Sequence, residues 1–467
     1  MISILIPSGV FLGLYWARYL WNVFRRGQRI PLALPLLFTC LFIPKINLIQ
    51  VNPDLSMAGI RTDDFLALLL LIIALFDPKT WKNKKILIGV GLLAAMTAAG
   101  VVSMLSGRAN GFDNEIKFSI FSILRKGEYF AFALIGIYLA RKSEAPEKTA
   151  LTEFTWMFGM HLVIGTLQAL GVCNYAALGF ADNPRWFQNM AVSTFNGHYE
   201  YGHFLCYAIV IYLCVFLRTR KAAWLGLCAA AFGMIVLTKS RSSLMIGLIL
   251  IALIPVFSVR SFRQKWVRMT IYGGLVLAAA AGILLAAGAV NVGNFGKVNL
   301  AEYAETLGKN VEIADLHRYA DNIKACIPIW DYIPIVIDDA SASERFFKWG
   351  NALSGFLQYP LFGYGNGVTE VMDGNYVKLL GENGLVGTLL WLGMYGYYLK
   401  IVWDAKKRTR MARSVVYMMV SVLIASLFID MFEASRPMET LWLAVGLVIG
   451  TCMKDEPQER CLTEDNG

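Results

Sequence analysis

The stretch GMIVLTKSRSSLMIGLIL, residues 233–250, places two cations inside an otherwise almost wholly apolar run. Its Leu and Ile content is typical of membrane-spanning helices, yet a charge at the centre of a bilayer costs about 2.5–3.5 kcal/mol on insertion scales. Both observations are explained if TKSRSS, residues 238–243, is a short turn between two spans. The stretch therefore predicts a helical hairpin in a membrane, with Lys239 and Arg241 at the membrane–water boundary.

The composition of the whole chain indicates the same class of protein. Its 467 residues are 57% hydrophobic and only 16% charged, whereas a typical soluble domain has about 25% charged residues. The net charge of +10 is spread over short clusters between apolar runs, which is the pattern of basic loops in a membrane protein and not of a nucleic-acid-binding domain. We therefore expect a polytopic membrane protein.

The apolar runs predict an all-α fold with about 13 transmembrane helices. The first run has no basic region before it and is followed by RRGQR, so it is interpreted as a retained span and not as a cleaved signal peptide. The predicted spans are residues 2–24, 31–49, 63–77, 86–106, 118–140, 152–172, 200–217, 222–238, 242–258, 269–289, 376–400, 412–432 and 437–453.

Alternate loops between these spans are short and basic, and they indicate the orientation. They are RRGQR (25–29), KTWKNKK (79–85), RKSEAPEK (141–148), RTRK (218–221), RSFRQKWVR (260–268) and KKRTRMAR (406–413). Because basic loops are retained in the cytoplasm, we expect the N-terminus on the outer, periplasmic side and the C-terminus in the cytoplasm.

This topology divides the chain into four parts. Residues 1–289 carry the first ten spans, 290–375 form a large extracytoplasmic loop domain, 376–453 carry the last three spans and 454–467 are a cytoplasmic tail. A loop of that length is too long to be a simple connector. Aromatic residues at helical spacing before Pro360 predict an amphipathic helix at 342–357 within it.

Several polar residues on the outer side are candidates for a site. The turn at 238–243 combines backbone N–H groups, hydroxyls and cations, which suits an anion, although side chains that merely reach for water would look the same. Arg61, with Asp63 and Asp64, begins a span, either as a helix cap or as part of a site. Arg125, inside the fifth span, either pairs with Glu128 or lines a polar cavity.

His198 and Glu200, in the segment STFNGHYEYGH (193–203), have the residue types of a general base and its orienting carboxylate. A single exposed histidine is more often without a catalytic role. This pair is therefore a reserve candidate for the base.

The segment from Arg345 to Leu392, which contains DGNYVKLLGENGLVG (373–387), resembles the superfamily of O-antigen ligases and Wzy-type polysaccharide polymerases. The pattern comprises an Arg, a Trp, a Pro-Leu-x-Gly-x-Gly turn, a His or Asp, an Asn and Glu-x-Gly-x-x-Gly. Here these places hold Arg345, Trp349, Pro360, Leu361, Gly363, Gly365, Asp373, Asn375, Glu382, Gly384 and Gly387. Further signals of the superfamily occur in order at 61–64, 125–129, 194–196 and 238–241.

The resemblance implies an inverting membrane glycosyltransferase in the bacterial cytoplasmic (inner) membrane, working at its outer face without a cofactor or a metal. Its donor would be a glycan on a polyprenyl diphosphate, and its acceptor a lipid-linked repeat unit. The implied partners are this glycan, membrane lipid, and the flippase and chain-length regulator of the same pathway. In the ligases the re-entry position usually carries His, so Asp373 favours a polymerase.

Under this resemblance, Asp373 is the first choice for the base, and His198 or Glu200 is the reserve. Cations would hold the departing diphosphate. The residues assigned to this step are Arg241 and Arg345, with Arg125 or Lys239 assisting, and the remaining substrate-binding candidates are Arg61, Trp349, Asn375 and Tyr376.

Two other functions remain open on sequence grounds. One is an O-antigen ligase, which would transfer finished polymer to lipid A-core. The other is a transporter of a lipid-linked oligosaccharide or a solute, which would need polar residues continuous to the cytoplasmic face. The predicted spans look cleanly apolar in their inner halves, which counts against a transporter.

Overall fold

The computed structural model describes residues 2–28, 30–50, 59–111, 116–174, 190–257, 340–367 and 373–454. The first half contains β1 (Ile2–Ser3), α1 (Leu5–Phe24), α2 (Ala33–Phe42), β2 (Asn47–Gln50), β3 (Gly59–Arg61), α3 (Thr62–Leu75), α4 (Pro78–Trp81), α5 (Lys84–Ala109), α6 (Ile116–Lys142), α7 (Pro146–Ala169) and β4 (Cys173–Asn174). The second half contains α8 (His198–Thr219), α9 (Ala222–Leu237), α10 (Arg241–Phe257), α11 (Ala340–Gln358), α12 (Asn375–Ala405), α13 (Met411–Ala425), a 3-10 helix (Met431–Glu433) and α14 (Ser435–Lys454).

Helices α6 and α14 form the most extensive helix pair of the described chain. Gly446 lies directly against the backbone carbonyl of Ala133, and Gly136 lies against that of Leu443, so neither position has room for a side chain. Small residues at a helix interface allow this close approach in membranes, where packing is the main force between helices. The pair is a rigid centre on which the other helices are arranged.

The basic loops lie together at one end of the helix bundle, the basic end. Asp77, after α3, lies 3.4 Å from Arg141 and 3.5 Å from Lys142 at the end of α6. Glu147 accepts a hydrogen bond of 2.7 Å from the backbone N–H of Arg410. Residues from four of the predicted basic loops line one cavity there, namely 25–29, 141–148, 218–221 and 406–413. The loop at 260–268 lies outside the described residues.

The two ends of the described chain lie at opposite ends of the bundle. Strand β1 pairs in parallel with β4, with Ile2 opposite Cys173, away from the basic end. Lys454, the last residue of α14, donates a hydrogen bond of 2.8 Å to the carbonyl of Ser143 at the basic end. An odd number of membrane crossings produces this arrangement.

The second predicted span, 31–49, is wrong as a full crossing. Helix α2 has 10 residues and is therefore about 15 Å long, half the thickness of the hydrocarbon core. It ends because Ile43 already has extended backbone angles, as the residue before a proline prefers. After Pro44 the chain forms a hairpin in which β2 pairs with β3 in antiparallel fashion.

Helix α12 is interrupted at Gly384, whose φ of 61° and ψ of −166° are not helical. The preceding turn fills the interruption: the N–H of Tyr364 donates to the carbonyl of Gly381 at 3.0 Å, and the N–H of Leu385 donates to that of Pro360 at 2.8 Å. Backbone groups freed by a break must find such partners in a membrane. The Gly-rich turn and the kink are therefore one structural unit.

The described chain is an all-α multi-pass membrane protein apart from two small two-stranded sheets. By length and composition, α5, α8 and α12 can cross a membrane, and α2, α9, α10 and α13 are apolar but shorter. Helix α11 covers the predicted amphipathic helix at 342–357. The predicted tenth span, 269–289, and most of the loop domain lie outside the described residues, so the count of 13 spans stays a prediction.

Candidate active site

A buried ionic network lies at the end of the bundle opposite the basic end, here called the network end. It joins side chains from α3, α6, α14 and the segment after α2. Its members are Lys45, Arg61, Asp63, Asp64, Arg125, Glu128, Ser435, Arg436 and Glu439. Buried charges are stable only when they are paired and hydrogen-bonded. Most charged members of this network have such a partner.

Lys45 is the centre of the network. Its side chain is fully buried, and its Nζ lies 3.0 Å from Oδ2 of Asp63 and 2.8 Å from Oε1 of Glu439. It also donates a hydrogen bond of 2.7 Å to Oγ of Ser435. The lysine is held here by the turn after Pro44 and ties α3 to α14.

Arg61 lies at the N-terminus of α3, where the sequence suggested either a cap or a site. Its backbone N–H donates to Oδ2 of Asp64 at 2.9 Å, which is a cap. Its buried guanidinium lies 3.9 Å from Asp63, 3.8 Å from Asp64 and, through Nη1, 3.2 Å from Oγ of Ser435. Nε and Nη2 have no hydrogen-bond partner among the described residues. Arg61 therefore takes part both in a helix cap and in the buried ionic network.

Arg125 connects α6 to the network. Its Nη1 lies 2.5 Å from Oε2 of Glu128, one turn further along the same helix, and 3.4 Å from Oδ1 of Asp64. This is the internal ion pair that the sequence offered as one alternative. Its neighbour Lys126 has a different set of charged neighbours and is within electrostatic range of Glu433 and Glu382.

Arg436 is the member of the network that the sequence interpretation missed most clearly. It is 1% exposed, donates at 2.6 Å to Oγ1 of Thr194 and also donates to the carbonyl of Ile43. Its guanidinium lies 5.5 Å from the ring centre of Phe195. In the sequence, this arginine stands beside a proline in FEASRPMET (432–440). That pattern is also typical of an ordinary span boundary, so it did not indicate a buried cation.

His198 and Glu200 begin α8, and their side chains have different surroundings. Glu200 is buried beside the network, within electrostatic range of Lys45 and Arg61. His198 is within electrostatic range of Asp373. Residues two apart on a helix do not face each other, so His198 does not pair with Glu200, and the carboxylate that acts on it electrostatically is Asp373.

Asp373 occupies the corner at which the chain enters α12, with a φ of 54°. The following N–H, of Gly374, donates to Oδ1 of Asp430 at 3.1 Å. The indole of Trp349, on α11, lies against Gly374 with no space between them for a side chain. The corner is therefore fixed from two sides, and it brings the Asp373 and Trp349 positions together.

Asn375 and Tyr376 use their polar groups to hold this corner. Oδ1 of Asn375 accepts a hydrogen bond of 2.6 Å from the N–H of Phe432. The hydroxyl of Tyr376 donates to the carbonyl of Leu423 at 2.8 Å. These contacts attach α12 to the segment after α13 and to α13 itself, which contains Leu423.

The turn between α9 and α10 rests on the start of α8. Oγ of Ser243 donates to the carbonyl of Tyr199 at 3.5 Å, and Ser240 donates to Ser243 at 2.8 Å. Lys239, with a φ of 57°, and Arg241 are exposed on this turn. The turn is thus at the network end, one residue along α8 from His198.

Arg345 lies on α11, one helical turn before Trp349. Its side chain lies outside the described residues. Helix α11 contacts α12, so the backbone places Arg345 on the helix that packs beside Asp373.

Charged groups of two kinds therefore share the network end. The ionic network is paired and buried, which suits a scaffold, whereas the turn at 238–243 and the corner at Asp373 are more open and suit a substrate. Within the described part of the chain, no group of three or more His, Cys, Asp or Glu side chains is arranged to hold a metal ion.

Comparison with known proteins supports the resemblance seen in the sequence. Residues 226–392 match the family model Wzy_C, described as O-antigen ligase. This range contains the turn at 238–243, α11 and the whole of DGNYVKLLGENGLVG, so the resemblance is confirmed there. A comparison with curated proteins gives no match.

Proposed function

We propose that the chain is a Wzy-type polysaccharide polymerase, which transfers a glycan from a polyprenyl diphosphate donor onto a lipid-linked repeat unit. One observation carries the proposal: the motif positions, far apart in sequence, meet at one end of the bundle. The Trp349 indole lies against Gly374, next to Asp373, and the Lys239–Arg241 turn rests on the end of α8 that begins with His198, which is within electrostatic range of Asp373. We place this end at the outer face of the cytoplasmic membrane, because the basic loops lie opposite.

The cations of the turn are the groups best placed to receive the diphosphate. Charge develops on the leaving diphosphate as the sugar–oxygen bond breaks, and preorganised donors stabilise it most where water is scarce. Arg241 and Lys239 are exposed on a turn that Ser240 and Ser243 hold rigid. Arg345 is the further cation that we assign to this step, on the ground of its motif position on α11.

Asp373 is the proposed general base for the acceptor hydroxyl. A carboxylate can take this proton when it lies within hydrogen-bond reach of the hydroxyl, and the fixed corner at Gly374 holds the position of Asp373. His198 is the proposed reserve because it is within electrostatic range of Asp373. Inversion follows from a single displacement, in which the acceptor oxygen bonds to the sugar as the diphosphate leaves.

The ionic network has a supporting role in this proposal. Lys45, Arg61 and Arg125 are already engaged by carboxylates. They hold the starts of α3 and α14 and the middle of α6 in place. Lys45 and Arg61 are also within electrostatic range of the buried Glu200 carboxylate. Arg61 and Arg125 would then influence the donor through the field of the network.

An O-antigen ligase is the second candidate, because the matching family model carries that description. The two functions share the donor and differ in the acceptor. Asp373, in place of the histidine usual in the ligases, is the reason for preferring the polymerase.

A transporter remains less well supported, but not for the reason that the sequence suggested. The inner halves of the spans are not cleanly apolar, since Arg18 of α1 lies 2.9 Å from Glu153 of α7 near the basic end. Between that pair and the network lie buried rings: Tyr15 stacks on Phe38 at 3.6 Å, and Phe42 is 4.9 Å from His161. Rings packed against each other therefore occupy this path in the described part of the chain.

Glycan analysis of a strain that lacks this chain tests the proposal. A single repeat unit on the lipid core would show a lost polymerase, and full-length polymer retained on the polyprenyl carrier would show a lost ligase.

Complementation with Arg241→Ala should give no long polymer although the protein inserts normally. The matched control is Lys221→Ala, an exposed cation at the other end of α9, which should restore full length. Long polymer with Arg241→Ala would refute the assignment.

A further inference from the structure

A large cavity opens at the basic end, on the side of the bundle away from the candidate active site. It measures about 2140 Å³ and is lined by residues of α1, α2, α6, α7, α8, α13 and α14. Drug-sized ligands occupy sites of about 300–1,000 Å³. The volume is therefore suited to a larger molecule, and no step of the proposed glycosyl transfer uses it.

The interior of the cavity is mostly apolar. Side chains from α2, α7, α13 and α14 form this surface, among them Leu37, Phe38, Met157, Met418 and Leu443. Since these residues lie further into the bundle than the loops of the basic end, a ligand that fills the cavity must bring apolar surface with it.

The rim of the cavity is strongly basic. Among the lining residues are eight Lys and Arg side chains but three Glu side chains. Glu153 is engaged by Arg18 at 2.9 Å, and Glu147 accepts from the backbone N–H of Arg410 at 2.7 Å. Most of the positive charge at the rim is therefore not neutralised by the lining carboxylates.

Two of these cations converge from facing helices. Arg218 of α8 and Arg413 of α13 both line the cavity, as does Cys214 one helical turn before Arg218, and α8 packs against α13. Neither guanidinium forms an ion pair with a described carboxylate. Two guanidinium groups at one wall suit a phosphate group, which accepts several charge-assisted hydrogen bonds.

We propose that this cavity binds an anionic phospholipid from the bilayer leaflet at the basic end. Its phosphate lies between Arg218 and Arg413, and its acyl chains cover the apolar interior. Basic pockets between transmembrane helices bind anionic head groups in this way. Free phosphate would satisfy the cations but would leave the apolar surface uncovered.

Native mass spectrometry of the purified full chain tests the proposal, with phosphatidylglycerol and phosphatidylcholine as probes. We expect one tightly held phosphatidylglycerol per chain and much weaker binding of phosphatidylcholine. Each basic residue near an anionic surface contributes about fivefold, so the double variant Arg218→Gln, Arg413→Gln should bind phosphatidylglycerol about 30-fold more weakly.

The matched control is the double variant Lys82→Gln, Lys84→Gln, which removes two exposed cations from the same end outside the cavity. It should bind phosphatidylglycerol like the unaltered chain. Equal loss of binding in both double variants, or no loss in the cavity variant, would overturn the proposal. Displacement of the lipid by millimolar inorganic phosphate would overturn it too.

Modification of Cys214 by a thiol reagent, read by peptide mass spectrometry, should be slowed by phosphatidylglycerol. Because binding is measured directly, failure here leaves the proposed glycosyl transfer untouched.

Discussion

At the scale of single residues, Arg436 shows how much of this protein depends on one buried cation. Replacing it by Ala leaves Oγ1 of Thr194 and the carbonyl of Ile43 buried without their donor. Each such loss costs about 1–3 kcal/mol, so we expect Arg436→Ala to lower the free energy of unfolding by about 2–6 kcal/mol. Chemical unfolding in detergent measures this. The control Lys400→Ala, at an exposed position on α12, should change it by less than about 0.5 kcal/mol.

Asp373 and His198 allow a direct test of the base assignment. General-base catalysis contributes about 10²- to 10⁴-fold, so Asp373→Asn should slow chain extension at least about 100-fold, measured by polymer length and rate in membranes. His198→Gln should slow it by less than about tenfold. The exposed carboxylate Asp404, at the basic end of the same helix, provides the control Asp404→Asn. If His198→Gln slowed chain extension more than Asp373→Asn did, His198 and not Asp373 would be the base.

The sequence predicted some of the site residues and not others, for a physical reason. Arg61 and Asp63 are close together in RTDDF, so the sequence alone indicates a candidate charged site there. Lys45 occurs alone in an apolar setting, and Arg436 and Glu439 lie three residues apart at the start of a predicted span, where such charges are typical of a span boundary. Their meaning depends on partners almost 400 residues away, which no local pattern contains.

At the scale of elements, the kink of α12 gives the sharpest prediction. Gly384 has a positive φ and lies against the backbone of Leu361, so a methyl group there has no room. Gly384→Ala should lower the free energy of unfolding by at least about 1–3 kcal/mol through backbone strain alone and should displace the corner at Asp373. Thermal unfolding and chain extension measure the two effects.

Gly393, further along α12, is the matched control. It has open space around the position of a side chain. Gly393→Ala should therefore be neutral or should stabilise the helix by up to about 1 kcal/mol. If both alanine variants behaved alike, the kink would have no special role.

The elements that the sequence failed to predict have specific causes. The run at 31–49 is apolar enough for a span, but Pro44 ends α2 and the chain then turns back in a hairpin. The kink at Gly384 was not predicted either, because a glycine within an apolar run is equally compatible with a straight helix. In both cases the deciding contact is with another part of the chain.

At the scale of the whole molecule, the alternation of basic loops was the most dependable signal. It correctly grouped 79–85, 141–148 and 406–413 at one end, because it averages over many residues. The orientation derived from it predicts that green fluorescent protein fused after Gly467 fluoresces, and that alkaline phosphatase fused there is inactive. An active phosphatase at this position would invert the proposed topology and would place the candidate site in the cytoplasm.

The ionic network also constrains the order in which the protein can be completed during synthesis. Lys45 leaves the ribosome 390 residues before Ser435 and 394 residues before Glu439. Until α14 is inserted, this lysine has no partner on that side, and the early helices cannot close around it. A nascent chain that stops before residue 435 should therefore remain open in the membrane and be degraded, which makes the last helix the checkpoint of assembly.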